Sequence, residues 1–251
     1  AAVNVASLLP ENPVSDSIRS GRINITLSLI AGYLGLSFGM AFLPCTGYHF
    51  PTVCTGDTKE KKVALTFDDG PHPLYTPKVL DTLRSKGVSA TFFCIGQRIK
   101  GNEAILQRMV RENHLTGNHS FSHSYWFDWF PAGKAGKEIE RTDRAIYDAT
   151  GLRPGWFRPP FGVINPMISS ALRKSGHLSI CWDIRSLDTL GGPPEKTTKR
   201  ILRRLKPGSI ILLHDHSRFT QNHLDQLLDT IRAAGFVVAP LNEIIGGKAY
   251  V

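Results

Sequence analysis

Short apolar runs rich in β-branched and aromatic residues recur along residues 57–251. The runs lie at 63–68, 89–95, 114–119, 155–160, 178–184, 209–215 and 236–241. Between most of them, apolar residues recur at spacings of three and four, as in "TPKVLDTLRSKG" and "HLDQLLDTIRAAG", which predicts amphipathic helices. Alternating strands and helices predict an α/β fold with parallel strands, either a doubly wound sheet or a barrel of βα units. The number of repeats favours the barrel.

Polar residues with useful chemistry end several of these predicted strands. In βα barrels, catalytic groups lie at the carboxyl ends of the strands, on the loops that lead into the helices. The residues at these ends are Asp68, Asp69, His119, Arg158, Asp183 and His214. We therefore expect their side chains on one rim of the barrel.

One long apolar segment precedes this region. Residues 23–43, "INITLSLIAGYLGLSFGMAFL", carry no formal charge and follow Arg19 and Arg22. A stretch of roughly 20 apolar residues with a basic flank is typical of a membrane helix. Its polar residues and glycines leave a helix packed on the domain as the alternative. We predict an N-terminal extension, residues 1–56, whose apolar helix at 23–43 associates with a membrane, and a second domain at 57–251.

The cysteines bear on the compartment. Four cysteines are too few for a disulfide scaffold, and no pair has the CxxC spacing of a zinc–thiolate site. Cys45 and Cys54 flank a loop and can pair if they lie outside the cytoplasm. Cys94 and Cys181 fall within apolar strand-like runs, so we predict buried thiols. Together with the apolar segment, this favours an extracytoplasmic location, in the periplasm or at the cell surface.

The charge balance narrows the partners. Thirty Lys and Arg residues against twenty-one Asp and Glu residues give a formal charge of +9, which attracts nucleic acid, anionic lipid or acidic cell-wall polymers. Basic and aromatic residues do not interleave on one recognisable surface, which argues against nucleic acid. We expect a monomer that acts on a polymer.

Two adjacent carboxylates end the first strand, in "VALTFDDGPHP" at 63–73. Neither is cheaply buried without a positive partner, and a divalent cation would relieve their repulsion. We expect Asp69 to bind the ion and Asp68 to stay free as a general base, with Gly70 and Pro71 turning the chain so that both face one site.

Two histidines and a carboxylate form the predicted ion site. In "NHSFSH", His119 and His123 lie four residues apart, a spacing that places both imidazoles on one face of a helical turn. With Asp69 they make a His₂Asp set that leaves positions open for water and substrate, as in catalytic zinc sites. A solvated helix face is the alternative for the histidine pair.

A third histidine ends the sixth strand, in "LLHDH". His214 is either a satisfied core histidine or, across the barrel mouth from Asp68, a general acid. A base and an acid on either side of an attacking water are suited to hydrolysis of an amide or an ester.

These motifs, in order, carry a resemblance. The set "TFDDGP", "HSFSH", "RPPFG", "WDIRSLD" and "LLHDH" resembles the polysaccharide deacetylase family (NodB homology domain, carbohydrate esterase family 4), over about residues 60–245. The resemblance implies a distorted (β/α)7 barrel and a divalent metal, with zinc preferred and cobalt or nickel as alternatives. Such enzymes remove N- or O-acetyl groups from sugars.

The resemblance also implies a role for each matching position. Asp68 would be the base, held in place by Arg158, and His214 the acid. The metal ligands would be Asp69, His119 and His123. The backbone N–H of Phe161 would stabilise the oxyanion. Trp182 and Leu213 would line the pocket for the acetyl methyl group, with packing in the core as the alternative for Leu213.

One motif departs from the family pattern, which usually reads Asp-x-x-Asp-Trp. Here Arg185 replaces the first Asp and Thr189 replaces the Trp. A cation beside His214 would lower the pKa of its imidazole, unless Asp183 or Asp188 supplies the missing carboxylate. Alternatively, Arg185 points toward the substrate, for example toward a carboxylate or lactyl group. We favour altered substrate recognition over lost catalysis.

The predicted function is that of a metal-dependent N-deacetylase acting on a cell-envelope polysaccharide. Peptidoglycan is the first candidate, and a chitin-like oligomer is the second. An O-acetyl esterase acting on xylan-type sugars and a catalytically silent glycan-binding module are the alternatives.

Overall fold

The computed structural model describes the backbone of residues 13–251 and side chains from residue 25 onward. The strands are β1 (Thr52–Val53), β2 (Lys62–Gly70), β3 (Thr91–Cys94), β4 (Leu115–Asn118), β5 (Trp156–Phe157), β6 (Leu178–Ile180), β7 (Ile184–Arg185), β8 (Ile210–His214) and β9 (Val237–Val238). The helices are α1 (Pro13–Ala41), α2 (Thr76–Lys86), α3 (Glu103–Arg111), α4 (Ala132–Thr150), α5 (Pro166–Ser175), α6 (Pro194–Leu202), α7 (Arg218–Ala233) and α8 (Leu241–Ile245).

The strands form one parallel sheet that curls on itself. Their order is β1-β6-β5-β4-β3-β2-β8-β7, with β9 paired to β2. Strand β6 pairs with β5 and β7 pairs with β8, yet only residues 181–183 separate β6 from β7. One short piece of chain therefore joins β6, the second strand from one end of the sheet, to β7, the strand at the other end. This connection makes a distorted barrel. The α/β barrel prediction is confirmed, and each predicted apolar run contains a strand.

Successive side chains along the strands point alternately to the layer packed against the helices and to the barrel interior. In β2, Leu65 and Phe67 are fully buried against α2 and α7, where they meet Leu80 and Leu227. Burial of each such side chain contributes about 1.5–3 kcal/mol. The intervening residues of β2 face the other way, because successive strand residues point to opposite faces. That period places Asp68 on the interior side.

The helices are delimited by local signals in the sequence. Helix α7 follows Ser217, whose Oγ accepts the Thr220 N–H at 3.0 Å and so satisfies one of the unpaired amides of the first turn. Helix α2 ends at Gly87, which adopts a left-handed φ of 63° that a residue with a Cβ disfavours. Short connections then bring each helix back to the next strand.

Helix α1 carries the described part of the apolar segment. Most of its described apolar side chains are exposed, among them Leu29 and Tyr33, while Ala41 at its end is buried. Its carboxyl end contacts the domain, since the Ala41 carbonyl accepts the Ile164 N–H at 2.9 Å. Among the residues searched, which are those that the structure describes, no helix combines the length and the apolar character needed to cross a membrane.

The segment after α1 is tied to the barrel. Cys45 and Cys54 form a disulfide with a Cα–Cα distance of 5.7 Å, as the sequence allowed, and Cys94 and Cys181 are buried free thiols. Strand β1 lies within residues 1–56, which we assign to the N-terminal extension, and it nevertheless pairs with β6. Residues 1–12 of that extension lie outside the described residues.

Candidate active site and metal centre

Both carboxylates at the end of β2 reach one site because the strand is irregular there. The register of β2 against β3 shifts between Asp68 and Gly70, and Asp69 has a left-handed φ of 73°. This bulge cancels the alternation that would otherwise send the two side chains to opposite faces. The reversal occurs at Asp69 itself, not at Gly70 and Pro71 as we expected.

The structure brings the three predicted ion ligands together. The Nε2 atom of His119 lies 3.7 Å from Asp69 Oδ1, and the Nε2 atom of His123 lies 3.5 Å from the same oxygen. Candidate ligand atoms from the three residues all lie within 4.8 Å of one another. The two histidines belong to the loop after β4, where His123 has a φ of 46°, so the predicted helical turn is wrong although the pairing is right.

This cluster fits a divalent ion by its chemistry. Asp69 Oδ1 is buried and has no hydrogen-bond partner, an arrangement that leaves a buried polar atom costly unless a cation meets it. The Nδ1 atom of His119 lies 2.7 Å from the Arg158 carbonyl, which holds the ring with Nε2 toward the site. Burial, with the charge of His123 as a second cause, lowers the pKa of His119 to about 3. Its imidazole is therefore neutral and able to bind a metal.

The predicted base, Asp68, is held by a buried arginine. Arg158 is fully buried, and its Nη1 atom donates to Asp68 Oδ1 at 2.7 Å and to Thr66 Oγ1 at 2.8 Å. Its Nε atom donates to the Ile180 carbonyl at 3.2 Å, and its Nη2 atom donates to the Cys181 carbonyl at 2.9 Å. With its donors occupied on several strands, Arg158 fixes the Asp68 carboxylate in one orientation, as the resemblance implies.

Burial decides the proton affinity of this base. Desolvation raises the pKa of Asp68 above its ordinary value, although the charges of Arg158 and His214 act in the opposite direction. A carboxylate with a raised pKa accepts a proton more readily than an exposed one. Asp68 Oδ2 also lies 3.7 Å from His119 Nε2, beside the ion site.

The predicted acid, His214, is held by Asp188. His214 Nδ1 lies 2.9 Å from Asp188 Oδ1, and the His214 N–H donates to Asp188 Oδ2 at 2.8 Å. Asp183 does not have this role: its carboxylate accepts from Ser209 Oγ and from the Ile210 N–H, so it connects the β6–β7 segment to β8. The alternative that named Asp188 is the one that the structure supports.

The electrostatics at His214 correct another expectation. Burial lowers the pKa of the imidazole, but the hydrogen bond and charge of Asp188 outweigh burial and raise it to about 9. Arg185 does not lower it: this side chain is exposed and forms no ion pair among the described residues. His214 is therefore protonated at neutral pH and available as a proton donor.

Aromatic residues form the wall next to the ion ligands. Phe161 has a φ of 57°, and its half-exposed ring lies 5.0 Å from the His123 ring and stacks on Tyr125 at 5.9 Å. Trp182 lies against the backbone of Gly162, where an added Cβ would come within 2.8 Å of the indole. Phe161 thus lies beside an ion ligand and Trp182 beside the residue that follows Phe161, while the oxyanion and acetyl-pocket roles implied by the resemblance stay predictions.

Leu213 does not line this pocket. It is packed between the sheet and the helices with Phe67, its partner in register on β2. Residues that share a face of a strand are two positions apart, so Leu212 shares the interior face with His214. The assignment of Leu213 to the acetyl pocket is therefore wrong, and Leu213 packs in the core instead. The alternation of β8 was the signal that could have given Leu212.

Comparison with known proteins agrees with this geometry. The family model described as "Polysaccharide deacetylase" matches residues 55–180. The chain belongs to the polysaccharide deacetylase family. The peptidoglycan-N-acetylglucosamine deacetylase PgdA of Listeria monocytogenes is 33% identical over 188 residues, which are 75% of this chain and 40% of the relative. The chain therefore spans two fifths of that relative's length.

Two further members of the family match this chain over a larger share of their own length. The peptidoglycan-N-acetylmuramic acid deacetylase PdaA of Bacillus subtilis is 30% identical over 197 residues, 77% of this chain and 74% of the relative. The crystal structure of the Bc1960 peptidoglycan N-acetylglucosamine deacetylase superimposes with a TM-score of 0.73 at 27% identity. That superposition covers 79% of this chain and 94% of the other.

Sequence reasoning missed some parts of this candidate site. Thr66 was not singled out, although it lies two residues before Asp68 on the same face of β2 and supports Arg158. Ser186 and Thr220 also escaped notice, and both donate to the Asp188 carboxylate, at 2.8 and 3.3 Å. These supporting groups come from three separate elements, and only the period of β2 offered a signal, for Thr66.

Proposed function

We propose that this chain hydrolyses N-acetyl groups on a cell-envelope polysaccharide, with peptidoglycan as the substrate. The proposal depends on one observation. A buried carboxylate and a protonated histidine, Asp68 and His214, are neighbours in register on β2 and β8, directly beside the ligand cluster. Each has its own fixed partner, Arg158 and Asp188, so one is kept as a base and the other as an acid.

The roles of the side chains follow from these positions. A divalent ion held by Asp69, His119 and His123 would supply positive charge that polarises the acetyl carbonyl and makes water more acidic. Asp68 takes the proton from the attacking water. His214 then gives its proton to the departing nitrogen, since an amine anion is a poor leaving group. The Phe161 N–H would donate to the oxygen that gains negative charge.

The state of His214 favours amide over ester substrates. An alkoxide leaves with less help from an acid than an amine does, so an esterase has less need of a strongly held proton. Here Asp188 keeps His214 protonated. This supports the N-deacetylase and places the O-acetyl esterase second.

The names of two relatives support peptidoglycan as the polymer. The relatives from Listeria and Bacillus subtilis are named as deacetylases of its two sugars, N-acetylglucosamine and N-acetylmuramic acid. A formal charge of +9 suits an anionic wall polymer. The chitin-like oligomer is the alternative.

The test is acetate release from matched substrates. Zinc-loaded protein is incubated with peptidoglycan fragments, with N-acetylglucosamine oligomers and with acetylated xylan, and the products are analysed by mass spectrometry. We expect the loss of acetyl units from the first and none with Asp68→Asn. Release from xylan alone would support the esterase, and binding without release from any polymer would support the silent binding module.

We propose zinc as the native ion. Two imidazoles and one carboxylate are a donor set that zinc commonly takes in catalytic sites, while cobalt and nickel accept the same donors. Metal analysis of protein purified without added metal, followed by activity after reconstitution with each ion, tests this. Preferential retention of cobalt or nickel would contradict it.

We further propose that the protein lies outside the cytoplasm and associates with a membrane through residues 23–43. The disulfide between Cys45 and Cys54 suits an oxidising compartment, and most of the described apolar side chains of this segment are exposed. Flotation with anionic vesicles, comparing the full chain with a variant in which Leu29 and Leu36 are replaced by Lys, tests the association. Equal flotation of the two proteins would contradict it.

A further inference from the structure

A cavity lies next to Asp188, the partner of the acid His214. It has a volume of about 500 Å³ and lies between the segment that follows β7 and the first turns of α7. Thr189, Gly191 and Gly192 form one wall, and His216, Arg218 and His223 lie along the other. None of these residues has a part in the mechanism given above.

The cavity wall carries positive charge that the protein itself does not neutralise. Arg218 forms no ion pair within the part of the chain that the structure describes. His216 Nδ1 is buried without a hydrogen-bond partner, and its nearest carboxylate oxygen is Asp215 Oδ1, at 3.8 Å. Asp188 also lines the cavity, but its oxygens are taken by His214, Ser186 and Thr220. An anion in the cavity would meet the Arg218 guanidinium, which lacks a carboxylate partner among the described residues.

The cavity lies close to the acid. The His216 ring lies 5.8 Å from the His214 ring, measured between centroids, and Asp188 belongs both to the cavity wall and to the acid. In an N-acetylated hexosamine, the acetamido nitrogen on C2 receives the proton of His214. The next ring carbon, C3, bears the lactyl ether in muramic acid, and this group ends in a carboxylate or in an attached peptide.

From this placement we propose that the cavity lined by His216, Arg218 and His223 is a subsite for a carboxylate carried on C3 of the sugar that is deacetylated. The inference rests on the proposed function and adds the identity of the sugar, which is a muramic acid unit. Arg218 supplies the charge and a planar set of donors suited to carboxylate.

The size of residue 189 keeps the cavity open. Thr189 is small. Gly191 and Gly192, two and three residues after it, have φ values of 75° and 101°, conformations that residues with a Cβ disfavour. An indole at position 189 would fill part of the volume that the C3 substituent needs. Thr189→Trp is therefore a steric test of the same subsite.

The experiment compares ligands that differ in the charge of the substituent on C3. Dissociation constants are measured in an Asp68→Asn background, in which the ligands stay intact, for N-acetylmuramyl oligomers with a free lactyl carboxylate and for their methyl esters. A third ligand has the lactyl group amidated by a peptide that carries its own carboxylates. We expect the free acid, the peptide-bearing ligand or both to bind about tenfold more tightly than the ester, and their order identifies the source of the carboxylate.

Variants assign that preference to the cavity. Arg218→Gln and Thr189→Trp should each reduce the preference for the charged ligand severalfold. Arg111→Gln is the matched control, since Arg111 is an exposed arginine at the end of α3, next to the amino end of β4 and so on the face opposite the rim. Equal affinity for acid, ester and peptide-bearing ligand, or a preference that survives both variants, would overturn the subsite.

The binding readout separates the two proposals. If wild-type protein with Asp68 intact releases no acetate from any of these ligands, the deacetylase proposal fails while the charge preference is still measured. If acetate is released from acid and ester alike with equal kcat/KM, the enzyme stands and the subsite fails.

Discussion

Asp188 holds His214 at two points, with one carboxylate oxygen 2.9 Å from the Nδ1 atom and the other accepting the backbone N–H at 2.8 Å. The carboxylate therefore orients the ring, selects the tautomer and raises the pKa of the imidazole. This one contact makes an acid of a histidine that the altered fourth motif had placed in doubt.

Asp188→Asn should weaken His214 as an acid. The amide removes the negative charge that outweighs burial, so the pKa of His214 falls from about 9. His214 is active when protonated, and the alkaline limb of the pH profile of kcat/KM should move to lower pH by about one to two units. Activity at neutral pH should fall with it.

The measurement is a full pH profile of kcat/KM with an N-acetylated oligomer. Asp183→Asn is the control, because Asp183 bonds to Ser209 and Ile210 instead of His214, and its alkaline limb should stay in place. An unmoved limb in Asp188→Asn would remove Asp188 from the role of positioning residue.

Arg158→Lys should misplace the base while keeping a positive charge. Lysine cannot reach Asp68, Thr66 and the two carbonyls at once, so the carboxylate loses its fixed orientation. We expect kcat to fall by about 10²-fold, the order of loss that follows from a small displacement of a catalytic group. Zinc content should be unchanged, since the ligands are Asp69, His119 and His123, and a parallel loss of zinc would contradict this account.

Metal binding should stabilise the folded protein through Asp69. Zinc at about a hundred times its Kd adds about 2.7 kcal/mol to the free energy of unfolding and raises the Tm by several degrees. Asp69→Asn should remove most of this shift, because its unpaired oxygen is a ligand in our assignment. Asp57→Asn, at an exposed carboxylate, should retain it, and equal shifts in the two variants would argue against the site.

His114 should make the barrel sensitive to acid. Burial lowers its pKa from 6.5 to about 4, and its Nδ1 atom accepts the Ala90 N–H at 3.1 Å. Since the unfolded chain binds the proton more readily, stability is lost as the pH falls below 6.5 and the loss is complete below 4. At pH 5 it amounts to about 2 kcal/mol.

His114→Gln keeps an acceptor for Ala90 and removes the titration. Urea unfolding at pH 7 and at pH 5 should show a smaller difference in the free energy of unfolding for the variant than for wild type. An equal difference would assign the acid sensitivity to other groups.

Much of the site was readable from the chain because its chemistry is local. The aspartate pair and His214 end strands, the two histidines lie in the loop that follows β4, and parallel strands bring their carboxyl ends to one edge. Any fold of this class therefore gathers these residues. The helix predicted for His119 and His123 was wrong, since spacing alone does not distinguish a helical turn from a loop with left-handed residues.

By itself, the sequence determined the strand and helix pattern, the barrel class and the residues that could bind an ion or move a proton, because periodicity and strand ends depend on neighbours along the chain. Only the tertiary structure decided that Asp188 and not Asp183 contacts the acid. It also revealed the cavity beside Arg218. The reason is that a bulge, a bend between β6 and β7 and the relative placement of loops depend on packing between residues far apart in sequence.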